Sequence, residues 1–90
     1  MREIVLSSRF KRDLKLIVKR GYDLNLLDTV VEKLVNDIPL EERHRDHALT
    51  GNYVGFRECH VLPDWLLIYR ADDTELILFL FRTGTHSVLF

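Results

Sequence analysis

The sequence predicts an α+β domain in which two N-terminal helices pack on one face of a mainly antiparallel sheet, in the order β-α-α-β-β-β. Three observations predict this class. Apolar residues recur at helical spacing between residues 8 and 38, and the pattern changes to that of strands after residue 53. Short turns, which favour antiparallel neighbours, separate those strands. With 90 residues, of which 47% are hydrophobic and 30% charged, the chain is expected to form a single domain over residues 1–90.

The N-terminal part of the chain predicts a short strand and two helices. Residues 4–6 are apolar, and Ser7 or Ser8 can cap a first helix over about residues 8–20. The apolar stripe of this helix consists of Phe10, Leu14, Ile17 and Val18. Asp23 can cap a second helix, which ends before Pro39. Its predicted buried face consists of Leu24, Leu27, Val31, Leu34 and Val35.

A polar loop and three strands are predicted for the rest of the chain. The stretch over residues 39–52 has the composition of a connecting loop, and such loops often carry function. Strands are predicted over residues 56–62, 65–70 and 75–82. Alternation along the first of them places Glu58 and His60 on the face turned away from the helices. After the last strand, a turn-rich segment can bring His86 back over that open face.

Charge is distributed unevenly, although the net charge is only -1. Residues 1–22 carry seven basic and two acidic side chains, whereas residues 23–42 carry six acidic and one basic. The basic segment can meet phosphates, although a solvated helix surface gives the same pattern. The single cysteine, Cys59, excludes an internal disulfide, and we expect it to be a small buried apolar group. No apolar run suits a signal peptide or a membrane span, so we expect a cytoplasmic protein without membrane contact.

Several polar side chains form a set suited to cleaving RNA without a metal. Such cleavage needs a base for the ribose 2'-hydroxyl proton, an acid for the leaving 5'-oxygen and a cation for the phosphorane charge. Imidazole can serve as base or acid near neutral pH, and arginine pairs with phosphate oxygens in a fixed geometry. An aromatic ring such as that of Trp65 or Phe90 can stack on a nucleobase. The candidate acid, base and cation residues are His47, His60, Asp64, Arg82 and His86.

Each candidate also has a purely structural interpretation. His44 has the setting of a solvated loop histidine, Arg82 can form a salt bridge with Asp64, and Trp65 can belong to the core. A metal site is a further alternative, but no tight ligand motif accompanies the histidines. That alternative would use His44, His47, His60 and His86.

Four segments in this order and spacing carry a specific resemblance. They are residues 46–51 (DHALTG), 55–61 (GFRECHV), 63–69 (PDWLLIY) and 82–86 (RTGTH). The chain resembles, over nearly its whole length, the YafQ branch of the RelE/ParE superfamily, bacterial toxins of type II toxin-antitoxin modules. The resemblance implies a RelE-like fold and a ribosome-dependent endoribonuclease that cleaves mRNA in the ribosomal A site, at adenine-rich lysine codons, without metal or cofactor. The implied partners are a cognate antitoxin of the DinJ or RelB type, the 70S ribosome and mRNA.

The resemblance also implies roles for individual residues. His47, His60, Asp64 and His86 match the family's catalytic positions, with His86 the leading candidate for the general acid. The other three remain open as base or orienting group. The implied substrate-binding residues are Arg82, Trp65 and Phe90. Toxins of this superfamily tend to be basic, whereas this chain has a pI near 6.4, so contact with ribosomal RNA is expected through the first helix. The expected contacts there are Lys11, Lys15 and Lys19.

One alternative comes from another functional class. A ParE-like toxin has a similar fold but acts by binding a protein target such as gyrase, and it does not need the three histidines. The presence of His47, His60 and His86 together with Asp64 therefore favours the nuclease.

Overall fold

The computed structural model describes residues 1–90, and the two helices and the main strands follow the predicted order. Strand β1 spans Glu3–Leu6, and helices α1 and α2 span Ser8–Lys19 and Leu24–Val35. The remaining strands are β2 (His47–Ala48), β3 (Arg57–Leu62), β4 (Trp65–Asp72) and β5 (Ile77–Gly84), and a short helix α3 covers His86–Leu89. None of the helices has the length and hydrophobicity needed to cross a membrane.

The five strands form one mixed sheet in the order β1-β5-β4-β3-β2. β1 runs parallel to β5, and the other three pairs are antiparallel. The predicted α+β class and the mainly antiparallel sheet are therefore confirmed. The two helices carry the chain from β1 to β2, which lies at the opposite edge of the sheet. β3, β4 and β5 then return across the sheet, so the last strand lies next to the first.

Side-chain caps start both long helices. Ser7 accepts a hydrogen bond from the Phe10 amide at 2.9 Å, and Asp23 accepts one from the Asn25 amide at 3.0 Å. α1 packs over β5, and α2 packs over β3. Both helices thus cover the same face of the sheet, as predicted.

The main core lies between the helices and this covered face. It contains thirteen buried residues, including Phe10 and Ile17 of α1 and Trp65 of β4. The predicted place of Val18 in the stripe is wrong, since Val18 is 53% exposed. Asp13 lies on the buried side of α1 instead. The buried stripe is narrower than the apolar sequence pattern because α1 lies over β5, near the edge of the sheet.

The opposite face, which we call the open face, is covered only in part. Leu66, Ile68 and Leu89 form a smaller buried cluster there, with partly buried aromatic residues around it. The segment predicted to be a plain loop contains a 3-10 turn at Glu42–His44 and the two-residue strand β2, which adds to the edge of the sheet. The segment predicted to be only turn-rich contains α3, whose Leu89 closes the cluster.

Candidate active site

Strand pairing places the predicted site residues in two rows across the open face. In one row, His47 pairs with Glu58, Glu58 with Ile68, and Ile68 with Arg82. In the next, His60 pairs with Leu66, and Leu66 with Gly84, two residues before His86. Residues that are far apart in sequence become neighbours because the antiparallel register fixes which side chains share a face.

His47 is held at both ring nitrogens. Its Nδ1 lies 2.5 Å from the carbonyl oxygen of Arg45, and its Nε2 lies 3.0 Å from the Oε2 atom of Glu58. Arg45 adopts a left-handed conformation with φ of 45°, which turns its carbonyl toward the ring. Because a carbonyl and an ionised carboxylate only accept, both hydrogen bonds are satisfied when His47 is an imidazolium. Glu58 is buried, and its other oxygen, Oε1, has no hydrogen-bond partner.

His60 is held at one nitrogen only. Its Nδ1 lies 3.1 Å from the carbonyl oxygen of Pro63, so in the neutral ring the proton sits on Nδ1 and the lone pair on Nε2. The His60 and His47 ring centroids are 6.5 Å apart. The main-chain carbonyl of His60 accepts a hydrogen bond from Nδ1 of His44 at 2.6 Å. The expectation that His44 is a solvated loop residue is therefore wrong: His44 is buried and braces β3.

Asp64 and His86 meet at the end of the site. The Oδ1 atom of Asp64 accepts a hydrogen bond from the main-chain amide of His86 at 3.3 Å. The His86 ring packs against Phe90 with ring centroids 5.2 Å apart, and Phe90 also packs edge-on against Tyr53. The imidazole of His86 is exposed and makes no hydrogen bond to the protein, which leaves both nitrogens free for a ligand.

Arg82 is paired with Asp13 of α1 and not with Asp64. Its Nε and Nη2 atoms donate to the two Asp13 carboxylate oxygens at 2.7 and 3.1 Å. Asp13 also accepts the Thr83 amide at 3.1 Å, where β5 extends beyond the end of β1. These hydrogen bonds to Asp13 raise the pKa of the Arg82 guanidinium. The Nη1 atom makes no bond to the protein and remains available for an anion.

Trp65 does not bind substrate by stacking, and that expectation is wrong. Its side chain is fully buried in the main core, where the Tyr22 ring lies 5.1 Å away. The indole N–H donates to the Thr83 hydroxyl at 2.9 Å, and that hydroxyl donates to the Leu66 carbonyl at 2.8 Å. Trp65 therefore fixes the start of β4 to the end of β5, from which His86 follows.

A small polar network holds the chain before His47. Asp46 Oδ1 accepts hydrogen bonds from Arg57 Nε at 3.2 Å and from the Tyr69 hydroxyl at 2.6 Å. Burial, together with Asp46, raises the pKa of Tyr69, so the phenol stays protonated and donates. The two-residue strand β2 is thus anchored from the helix-covered side of the sheet.

The structure brings most of the predicted residues together. His47 and His60 are neighbours, Asp64 contacts His86, and the carbonyl beside Asp64 holds His60. Lys11, Lys15 and Lys19 are exposed on α1, and their contact with ribosomal RNA remains a prediction.

Sequence reasoning missed the residues that hold two of the candidate site residues in place. Glu58 and Asp13 are the two buried carboxylates that hold His47 and Arg82. Burial of Asp13 could have been predicted from the sequence, since it lies three residues after Phe10 and four before Ile17, on the buried stripe of α1. No local signal paired Glu58 with His47, because β2 is too short to be predicted.

The structure bears on two further possibilities, a reactive Cys59 and a metal site. Cys59 is completely buried, and burial raises the pKa of its thiol, so the thiol has the setting of an inert core residue. No three His, Cys, Asp or Glu side chains lie close enough together to hold a metal ion.

Comparison with known proteins identifies the family. Residues 2–90 match the family described as "Bacterial toxin of type II toxin-antitoxin system, YafQ". The chain belongs to the YafQ toxin family. The mRNA interferase toxin YafQ of Escherichia coli K12 is 42% identical over 90 residues, which cover 99% of this chain and 96% of that relative.

Two solved structures support membership of the YafQ family. A metal-bound toxin from Helicobacter pylori is 48% identical and superposes with a TM-score of 0.94, each chain being covered completely. YafQ in the E. coli DinJ-YafQ complex is 42% identical with a TM-score of 0.90, over 100% of this chain and 99% of that one. The sequence-based resemblance and the fold it implies are confirmed.

Proposed function

We propose that this YafQ-family chain is a ribosome-dependent endoribonuclease that cleaves mRNA in the ribosomal A site with side-chain acid-base catalysis alone. The observation that supports this most is the state of His60. Its Nδ1 is tied to the Pro63 carbonyl, its Nε2 is free, and the doubly held His47 lies beside it. A fixed imidazole with an open lone pair is suited to accept the proton of an attacking 2'-hydroxyl. The 42% identical E. coli relative is an mRNA interferase, which agrees with this reaction class.

His60 is proposed as the general base. Its Nε2 accepts the proton of the ribose 2'-hydroxyl as that oxygen attacks phosphorus. The 2'-oxygen to phosphorus bond forms while the bond from phosphorus to the 5'-oxygen breaks, which leaves a 2',3'-cyclic phosphate. The Pro63 carbonyl keeps the ring in the tautomer that exposes Nε2.

His47 and Arg82 are proposed to stabilise the charge that builds on the phosphorane oxygens. The Glu58 carboxylate, 3.0 Å from Nε2, and the Arg45 carbonyl, 2.5 Å from Nδ1, fix the orientation of the His47 ring. Asp13 holds two of the Arg82 nitrogens and so directs the guanidinium, while Nη1 remains for a phosphate oxygen. Preorganised cations of this kind need no reorganisation during the reaction.

His86 is proposed as the general acid that gives a proton to the leaving 5'-oxygen. Asp64 fixes its backbone by accepting the His86 amide, and Phe90 supports its ring. Phe90 is 54% exposed, so its free side can stack on a nucleobase and place the scissile phosphate. Adenine-rich lysine codons are the proposed substrates.

An antitoxin of the DinJ or RelB type is the proposed protein partner. The E. coli relative forms a complex with DinJ, and its chain superposes over the whole of this one. An antitoxin that covers the open face would bury His60 and His86 and exclude mRNA.

Mapping of RNA ends in cells tests the proposed reaction. The chain is expressed briefly in bacteria, and new 5' ends are mapped on a translated and an untranslated copy of one message. We expect cuts only in the translated copy, in register with its codons and concentrated at lysine codons. A lysate assay with a chelator selective for zinc and copper, which leaves the Mg²⁺ that ribosomes need, tests the side-chain mechanism, and we expect cleavage to persist.

The His86→Ala variant is the matched control for that experiment. It should lose about 10²- to 10⁴-fold in cleavage while its fold and antitoxin binding are kept, because an exposed imidazole contributes little packing. Growth arrest by the wild-type chain without new 5' ends would contradict the nuclease and favour a ParE-like toxin with a protein target.

A further inference from the structure

The strand that carries His47 is unusually short. β2 consists of His47 and Ala48 only, and these two residues pair with Glu58 and Arg57 of β3 at the edge of the sheet. Because a two-residue edge strand has few main-chain hydrogen bonds and little buried surface, its local stability depends on contacts outside the ladder. The position of the His47 ring is therefore set by the side chains that anchor β2.

Asp46, the residue before His47, provides such an anchor from the other side of the sheet. Successive residues of an extended chain point to opposite faces, so the Asp46 carboxylate lies on the helix-covered face while the His47 imidazole lies on the open face. Asp46 Oδ1 accepts the Tyr69 hydroxyl at 2.6 Å and Arg57 Nε at 3.2 Å. A single peptide unit thus connects a phenol of the core to a ring of the candidate active site.

Tyr69 is the donor that has a fixed position. Its side chain is buried in β4, in the main core, whereas the side chain of Arg57 is 44% exposed. A hydrogen bond to an ionised carboxylate is strengthened where water is largely excluded, and the bond from Tyr69 is also the shorter of the two. The flexible guanidinium can follow Asp46 if the carboxylate moves, but the packed phenol cannot.

A cavity beside Asp46 leaves room for such a movement. It has a volume of about 190 Å³, and Asp46, Arg57 and Tyr69 line it together with Arg2 and residues 37–40. Packing on this side therefore does not confine the carboxylate, and the hydrogen bond from Tyr69 is what holds it against β4.

We propose that Tyr69 is a positioning residue for the reaction, because through Asp46 it holds His47 in place on the open face without touching RNA itself. The inference rests on the proposed function, in which His47 stabilises the charge on the phosphorane. Loss of the hydroxyl would let β2 shift, and a displacement of about 1 Å can lower a reaction rate by about 10²-fold.

Single-turnover cleavage on programmed ribosomes tests this role in the Tyr69→Phe variant, which keeps the ring in the core. We expect the maximal rate to fall by about 10- to 10²-fold. The toxin concentration that gives half the maximal rate should not change, since a buried residue does not contact the ribosome. Tyr22→Phe is the matched control, because Tyr22 packs on Trp65 in the same core but takes no part in the Asp46 network. It should cleave at the wild-type rate, and thermal unfolding should show both variants folded at the assay temperature.

Nuclear magnetic resonance of the histidine ring nitrogens reads the position of His47 in the isolated chain, without RNA. The His47 Nδ1 signal reports the hydrogen bond to the Arg45 carbonyl. Tyr69→Phe should shift the His47 signals and leave those of His60 in place, because the Pro63 carbonyl holds that ring independently. Tyr22→Phe should shift neither set.

The proposal is overturned if Tyr69→Phe cleaves at the wild-type rate, or if its rate falls while the His47 signals stay where they are. A higher half-saturating concentration at an unchanged maximal rate would also contradict it, because a positioning defect acts on the chemical step. Failure of the proposed function is recognised separately: the wild-type chain would not cleave mRNA, whether or not the His47 signals move in Tyr69→Phe.

Discussion

The two faces of the sheet are built in different ways. The helix-covered face is a continuous apolar core of thirteen buried residues from both long helices and three strands. The open face has only three buried apolar residues, and beside them lie the polar side chains of His47 and His60, held by one or two carbonyl or carboxylate groups. The same strands supply both faces, because successive residues point in opposite directions.

This difference separates stability from chemistry. Burial of the covered face supplies most of the free energy of folding, so the open face can keep imidazoles exposed and carboxylates paired with cations at little cost. Two residues join the faces. Trp65 and Asp13 lie in or next to the core, yet their hydrogen bonds fix Thr83, three residues before His86.

The largest expected effect concerns the open face. His60→Ala should lower the cleavage rate by about 10²- to 10⁴-fold, because His60 is the only one of the three candidate imidazoles, His47, His60 and His86, with its Nδ1 fixed and its Nε2 free. The free energy of unfolding should change by no more than about 0.5 kcal/mol, since the His60 ring is only partly buried. The measurement is single-turnover cleavage on programmed ribosomes over a range of pH. In the variant, the part of the pH–rate profile that depends on deprotonation of the general base should disappear.

The His44→Gln variant is a matched control for this substitution. His44 contacts the same residue, but through the His60 carbonyl and from a buried position. It should lower stability and leave the pH profile unchanged. A folded His60→Ala protein that cleaves at the wild-type rate would transfer the role of base to Asp64 or His47.

A somewhat smaller effect is expected on the covered face. Trp65→Ala should lower the free energy of unfolding by about 3–5 kcal/mol, because it opens a large cavity in the core. Trp65→Phe keeps most of the apolar contact but loses the hydrogen bond to Thr83 and part of the buried ring, so about 1–2 kcal/mol is expected. Denaturant unfolding measures both. If Trp65→Phe retained full stability but lost RNA binding, the core assignment of this residue would be contradicted.

The smallest effect is a dependence of stability on alkaline pH. Burial raises the pKa of Cys59, so the folded state keeps this proton above pH ~8.5, where the unfolded chain releases it. The unfolded state then binds fewer protons, and stability falls by up to about 1.4 kcal/mol per pH unit. Below pH ~8.5 this contribution is constant. Tyr69, whose pKa burial also raises, adds a second loss above pH ~10.

Cys59→Ala isolates the thiol contribution. Unfolding measured from pH 7.5 to 9.5 should give a flatter profile for the variant than for the wild-type chain. Parallel profiles would mean that another group causes the alkaline loss of stability.

Sequence periodicity was sufficient for the elements that bury an apolar stripe. Leu27, Leu34 and Val35 of α2 are buried as predicted, and alternation correctly put Cys59 and Val61 opposite His60. The errors come from contacts between distant segments. β2 forms by pairing with β3, and the buried His44 forms a hydrogen bond with the His60 carbonyl. Neither contact can be inferred from the local sequence.

For the candidate site, the motifs supplied residues but not their pairing, and the catalytic roles remain predictions. The motifs named His47, His60, Asp64 and His86, and the structure places them in two contacting pairs. Spacing alone could not tell that Arg82 meets Asp13, 69 residues away in sequence, in place of Asp64. The strand beginning at Trp65 was predicted, but its place in the centre of the sheet, between β5 and β3, was not.

The position of β5 has a consequence for how the molecule is made. β1 pairs with β5 in register from Glu3 to Ile77, so the first strand has no partner until almost the whole chain has been synthesised. Contacts this far apart in sequence slow folding, and they rule out stepwise completion of the sheet from its N-terminal end. While the nascent chain is still short, β1 and α1 lack the surface on which they pack. The candidate active site, which includes Arg82 of β5 and His86 after it, is therefore assembled only once β5 has entered the sheet.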